Sequence, residues 1–255
     1  MSETKIADAA ADLRSHGFVI LEGAVPVETV ESARHSVLDN LHFLKNTRPN
    51  PSSGHSAGFH RHPELEHLHM LVSTNQLANR IIAEATGAPR VRSIGLSDIT
   101  LNRSQPWHVD LLRGRYRKHL TGELCWGPEG GGVFKVLLYL QAGASLRVIP
   151  GAHAQPVPLD DDRKVEPQDA AEAQAVPVTS GSLVIMDIRL PHRGSSEEEL
   201  ATQASLENPK ILVSTVLAGS NRPLGAAMER GNLERLLDWD ELHRDGAAPK
   251  LAVSA

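Results

Sequence analysis

Apolar positions recur at three- and four-residue intervals over residues 6–15, where Ile6, Ala9, Ala10 and Leu13 form one stripe, so a short amphipathic helix is expected there. Gly17 ends it, and the compact run Phe18-Val-Ile-Leu21 is of strand type. Pro26 opens a second helix, in which Val27, Val30, Ala33 and Val37 share a face that continues towards Leu41 and Leu44. Residues 48–58 are rich in Pro, Ser and Gly and read as loop. A third helical stretch, about 64–86, carries Leu65, Leu68, Leu71, Leu77, Ile81 and Ile82.

From about residue 90 the periodicity shortens. Strands are expected at Val91–Thr100, Gln105–Leu111, Gly132–Gln141, Ser145–Ile149, Ala175–Thr179, Leu183–Ile188 and Lys210–Ala218, separated by Gly and Pro turns. Segments 160–174 and 194–209 carry acidic runs and read as solvated loops. Short strands behind a helical N-terminal third point to a mainly β fold, a double-stranded β-helix of the jelly-roll, cupin-like kind backed by α-helices. One domain over residues 1–255 is expected: helical support to about 88, a jelly-roll core over about 90–220, and a helical tail at about 225–245.

Composition narrows the function. A net charge of −5 argues against nucleic-acid binding, which needs a basic face to neutralise phosphates. No stretch approaches the roughly 18 apolar residues of a membrane span. Residues 1–17 lack the basic and apolar pattern of a secretion signal, and Cys125, the single cysteine, cannot form an internal disulfide. A cytoplasmic protein acting on a small molecule is the expectation.

Histidine is abundant, at 13 residues, so the ligands must be told from the surface residues. In Trp107-His108-Val109-Asp110, alternation along a strand puts His108 and Asp110 on one side, where imidazole and carboxylate can share an ion. They would make two thirds of the facial triad of non-haem iron(II) sites. Chance alone supplies close to one His-x-Asp in this composition, and a second occurs at His243-Arg244-Asp245. Context separates them: the second lies in a polar, helix-like segment with no later histidine. The first lies among strands and is followed by Leu190-Pro191-His192-Arg193-Gly194-Ser195, just past a strand end. His153 reads as the pin of a turn, and His60, His62, His67 and His69 as surface residues or part of a pocket entrance.

Four segments together resemble the phytanoyl-CoA dioxygenase family of 2-oxoglutarate oxygenases. Leu13-Arg-Ser-His-Gly-Phe-Val-Ile-Leu21 is similar to its N-terminal entry, and Trp107–Asp110 to its W-H-x-D strand. Leu146-Arg-Val-Ile-Pro-Gly-Ala-His153 is similar to its Pro-Gly-Ser-His turn, with Ala152 in place of serine, and Leu190–Ser195 to its distal histidine. The resemblance spans roughly residues 10–220. It implies iron(II) on His108, Asp110 and His192, with 2-oxoglutarate and O2 as co-substrates. It also implies hydroxylation of an unactivated C–H bond, with succinate and CO2 released. Related halogenases lack the carboxylate that Asp110 provides, so hydroxylation, desaturation or cyclisation is implied. Two other readings stay open: a cupin-like metal enzyme not using 2-oxoglutarate, and an inactive binding module of the same fold.

The family supplies an arginine about one strand after the distal histidine to hold the far carboxylate of 2-oxoglutarate. Here Lys210 opens that strand, and it can act as a point charge without the arginine fork. Lys135 is a rival, since alternation places Lys135, Leu137, Tyr139 and Gln141 on one face that would suit a polar pocket wall. Arg113, Arg115 and Arg117 follow the triad segment directly. They read either as an anion-holding rim for the substrate or as a solvated loop.

Overall fold

The Ser2 hydroxyl accepts a hydrogen bond from Lys5 N and starts helix α1, Glu3–His16. Gly17, at φ +82°, stops it and feeds strand β1, Phe18–Leu21. A computed structural model describes residues 2–46, 48–159, 172–203 and 208–244. Along it follow α2 (Val27–Asp39), β2 (Gly54–Ala57), α3 (Glu66–Ser73), α4 (Gln76–Thr86), β3 (Val91–Ser93) and β4 (Asp98–Leu101). Then come α5 (Gly122–Trp126), β5 (Val133–Tyr139), β6 (Arg147–Val148), β7 (Gln174–Ala175) and β8 (Leu183–Asp187). The chain closes with β9 (His192–Arg193), α6 (Glu197–Gln203), β10 (Ile211–Gly219) and α7 (Pro223–Arg244). No helix among the described residues is long and apolar enough to cross a membrane.

Several boundaries differ from the sequence expectation, each for a local reason. The second helix stops at Asp39, and Leu41–Phe43 form a separate tight turn instead of continuing it. The Pro/Ser/Gly loop at 48–58 contains β2, a buried strand of four small or polar residues with no apolar alternation to announce it. The stretch at 64–86 is two helices, because the Asn75 side chain accepts from Ala78 N at 3.1 Å and caps α4. Positive φ angles at Gly95 and Leu96 divide Val91–Thr100 into β3 and β4. Gln105–Leu111 is not a regular strand; single residues of it bond to the 188–195 segment.

The acidic segment 194–209 contains α6, opened by a reciprocal cap. Glu199 N donates to Ser196 Oγ at 3.0 Å and Ser196 N to the Glu199 carboxylate at 2.8 Å. Residues 160–171, most of the other acidic segment, lie outside the described residues, as does Asp245.

The main sheet has the order β1-β8-β5-β10-β4-β2, with β3 also paired to β10, and a second sheet has the order β7-β6-β9. These strand pairings are all antiparallel. The fold is a jelly roll backed by helices. Strand alternation sorts its residues: Phe134, Val136 and Leu138 join Ile99, Leu101 and the helical residues Leu13, Val37 and Ile81 in one core. Leu137 and Tyr139 turn the other way and pack with Val148, Val176 and Val184 between the sheets. That inner face also carries the polar groups of the site.

Gly17 lies against His153. The His153 Nε2–H donates to the Arg14 carbonyl at 3.1 Å, and a Cβ on Gly17 would stand 2.5 Å from Nδ1 of the same ring. Gly17→Ala therefore combines strained backbone with a clash against a buried ring. A loss of about 1–3 kcal/mol is expected in urea unfolding, and an unchanged midpoint would contradict this packing.

Candidate active site

The chain crossing that builds the site is a main-chain one. His108 N donates to His192 O at 2.9 Å, and His192 N donates to His108 O at 3.0 Å, so the two residues are held side by side. Asp110 N donates to Ile188 O at 2.8 Å and fixes the third residue on the same seam.

The side chains then converge. The Nδ1 atoms of His108 and His192 lie 2.7 Å and 2.8 Å from the carbonyls of Pro106 and Leu190. A carbonyl only accepts, so each Nδ1 carries the proton and each Nε2 presents its lone pair. Those Nε2 atoms lie 3.7 Å and 3.6 Å from the two Asp110 carboxylate oxygens. The ligand atoms of all three lie within 4.8 Å of one another. Donors about 2.1 Å from one ion stand roughly 3 to 3.5 Å apart, so slight contraction would let this trio hold one. Two neutral imidazoles and a carboxylate suit iron(II), and the backbone bonds to both Nδ1–H groups are the outer-shell support such ligands use.

The trio faces a cavity of about 330 Å³, at the small end of the roughly 300–1,000 Å³ of small-molecule sites. Lys135 lies inside it, 3.6 Å from both Asp110 Oδ1 and Asp98 Oδ2. Asp98 in turn accepts from His55 Nε2 at 3.2 Å. Burial pulls His55 down to about 4, against the raising effect of Asp98, so the ring is neutral. Burial works to raise Asp98, but the His55 hydrogen bond and the Lys135 charge outweigh it and keep the carboxyl well below its usual range. A run of His55, Asp98, Lys135 and Asp110 therefore leads from β2 to the candidate metal ligands. The composition of β2 hid His55, and Asp98 became visible only once the register was known.

Lys210 lies elsewhere on the wall. Its ammonium donates to Ser195 Oγ at 2.6 Å and to Ser145 Oγ, and burial brings its pKa down to about 8. Tyr139 lines the same cavity, with burial pushing its hydroxyl well above its usual range. Gln141 does not line it. Strand β5 ends at Tyr139, so alternation no longer applies, and Gln141 Oε1 accepts from Ile211 N at 2.8 Å and from Arg34 at 3.3 Å.

The basic segment splits as well. Arg113 lines the cavity, but Arg115 pairs with Asp238 on the surface and Arg117 donates to the Leu159 carbonyl. His60, His62, His67 and His69 do not line it either; His69, for example, is bonded to Ser97 Oγ at 2.9 Å. Arg48, Arg103 and Arg235, which sequence reading did not single out, do line it. They come from separate parts of the chain, and no local motif joins them.

The sequence profile of the phytanoyl-CoA dioxygenase family matches residues 13–197. No curated protein matches significantly. Solved structures do, at low identity. The non-haem, α-ketoglutarate-dependent epimerase SnoN from nogalamycin biosynthesis aligns over 86% of this chain and 85% of its own, at 15% identity and a TM-score of 0.62. EctD from S. alaskensis aligns over 88% and 81%, at 16% identity and 0.59. HygX from Streptomyces hygroscopicus, solved with nickel and 2-oxoglutarate bound, aligns over 86% and 88%, at 17% identity and 0.56. These likenesses establish the fold. The profile match spans most of the chain and contains all three converging residues, so the chain belongs to the phytanoyl-CoA dioxygenase family.

Proposed function

We propose that this protein is an iron(II)- and 2-oxoglutarate-dependent oxygenase that hydroxylates a C–H bond of a small-molecule metabolite, releasing succinate and CO2. One observation carries the reading. His108, Asp110 and His192 meet at one wall of the cavity, with both imidazole Nδ1–H groups committed to backbone carbonyls. The family match supports the same chemistry, and the neighbouring structure solved with nickel and 2-oxoglutarate belongs to a protein of the same fold.

Iron held by these three residues would supply the oxygen chemistry, with 2-oxoglutarate as the source of electrons. The chain's own part is binding, orientation and exclusion of water. Asp110 contributes the one anionic ligand, and Lys135 at 3.6 Å holds its Oδ1 side in place. Lys210, steadied by Ser145 and Ser195, is the proposed partner for the far carboxylate of 2-oxoglutarate. Tyr139 stays protonated and can donate a hydrogen bond to the same anion. Leu137, Leu146 and Leu212 add an apolar part to the wall, which strengthens the interactions beside it.

Three outcomes are expected. Anaerobic addition of iron(II) and 2-oxoglutarate should produce a visible charge-transfer band that Asp110→Ala and His192→Ala abolish; no band in the unaltered protein would sink the reading.

Lys210→Ala should raise KM for 2-oxoglutarate by about ten- to a hundredfold, the worth of a charge-assisted hydrogen bond. Lys135→Met should change it by less than about threefold. The reverse pattern would make Lys135 the anchor.

The third outcome is a pH dependence. The Lys210 ammonium is charged below about 8 and loses its proton above it, so KM for 2-oxoglutarate should rise as pH passes about 8. Lys210→Arg, charged throughout, should flatten that rise. A steady-state pH series on both proteins checks it.

A further inference from the structure

The cavity carries far more positive charge than its proposed co-substrate uses. Arg48, Arg103, Arg113, Arg235, Lys135 and Lys210 line it, against two carboxylates among the described residues, Asp98 and Asp110. Both carboxylates are engaged: Asp98 with His55 and Lys135, Asp110 with Lys135 and the two histidines. Iron(II) and a 2-oxoglutarate dianion cancel each other, so loading the site with both leaves the excess in place. The whole chain has a net charge of −5, so this is a local concentration and not a generally basic protein.

The four arginines form one group. Arg48 comes from the loop before β2, Arg103 from the turn after β4, Arg113 from the segment after Asp110, and Arg235 from α7. Arg103 is pulled down to about 10, first by burial and then by the charge of Arg48, with Arg235 and Arg113 acting in the same direction and Asp98 against it. Burial and then Arg235 and Arg48 lower Arg113 likewise, with Asp110 acting the other way. Four guanidinium groups on one cavity wall outnumber the two carboxylates, Asp98 and Asp110, that act on them, and an anion seated among them would offset the remaining repulsion. Arg48 Nε is buried and has no hydrogen-bond partner among the described residues.

Lys210 is held instead by the Ser145 and Ser195 hydroxyls, on segments that carry none of the four arginines. The arginine group would be a second anion seat beside the one proposed for 2-oxoglutarate.

We propose that the substrate carries a phosphate-like dianion, seated against Arg48, Arg103, Arg113 and Arg235. This rests on the oxygenase reading and names its substrate class. A single carboxylate brings one charge and two oxygens, enough for one or two guanidinium forks. A phosphomonoester brings close to two charges and three acceptor oxygens on one centre, which matches several forks converging from different directions. Arg113 is exposed at the rim while Arg48, Arg103 and Arg235 are partly buried, so the charged group enters past Arg113.

The test uses protein loaded with iron(II) and saturating 2-oxoglutarate under anaerobic conditions. It is titrated by calorimetry with inorganic phosphate, and with acetate and succinate as carboxylate comparisons, while the charge-transfer band is followed. Saturable phosphate binding is expected, about tenfold or more tighter than either carboxylate. Arg103→Gln and Arg235→Gln should each weaken it by about tenfold or more with the band retained. Arg113→Ala, on the exposed rim, should give the same weakening if Arg103→Gln fails to fold.

Succinate binding as tightly as phosphate would overturn the phosphate assignment. Equal phosphate binding in the arginine variants would overturn the seat. No phosphate binding with the band intact would overturn the proposal while leaving the oxygenase reading standing, whereas a missing band removes that reading itself.

Discussion

Two main-chain hydrogen bonds between His108 and His192 hold the site together, and the rest of the arrangement depends on them. Residues 84 positions apart are locked side by side by groups that no side-chain change can remove. The seam continues on both sides, through Gln105 N to Ser195 O and Asp110 N to Ile188 O. Because side chains alternate along an extended chain, a slip of one residue would turn His108 or His192 out of the cavity. The jelly roll fixes this register by packing the small sheet over Leu137, Tyr139 and Val184. A large apolar core thus places three polar groups to within a few ångströms.

Charge follows from the same alternation. On β5 the residues facing the helices are Phe134, Val136 and Leu138, while Lys135 and Tyr139 face the cavity. Lys135 survives burial because Asp98 and Asp110 flank it. Lys210 has hydroxyl partners close by among the described residues, and burial lowers its pKa. Two buried lysines on one wall therefore differ in kind: one completes a chain of ion pairs, the other has charge to offer an incoming anion.

Much of this was legible in the sequence, for identifiable reasons. His108, Asp110 and His192 carried distinctive flanks, and the long helices and apolar strands declared themselves by period. Strand β2 did not, because Gly54-His-Ser-Ala57 has no apolar alternation and exists only through pairing with β4. Helix α6 had a readable start in Ser196 and Glu199 that its run of acids obscured. Alternation carries Gln141 onto the pocket face, but the strand ends two residues earlier; of the two readings of the basic segment, rim or solvated loop, Arg115 fits the second, since Asp238 on α7 pairs with it. Arg48, Arg103 and Arg235 share no spacing, and only the tertiary fold brings them together.

Asn102 connects the two proposed anion seats. It adopts φ +43°, a conformation L-residues seldom take, and it is clamped to Lys210 by Asn102 N to Lys210 O at 2.9 Å and Lys210 N to Asn102 Oδ1 at 2.7 Å. The next residue is Arg103. One backbone bend therefore helps set the positions of both a lysine and an arginine that line the cavity. Remodelling this enzyme for a differently charged molecule is accordingly constrained: any rebuilding of the chain around Arg103 also disturbs the lysine that the clamp holds.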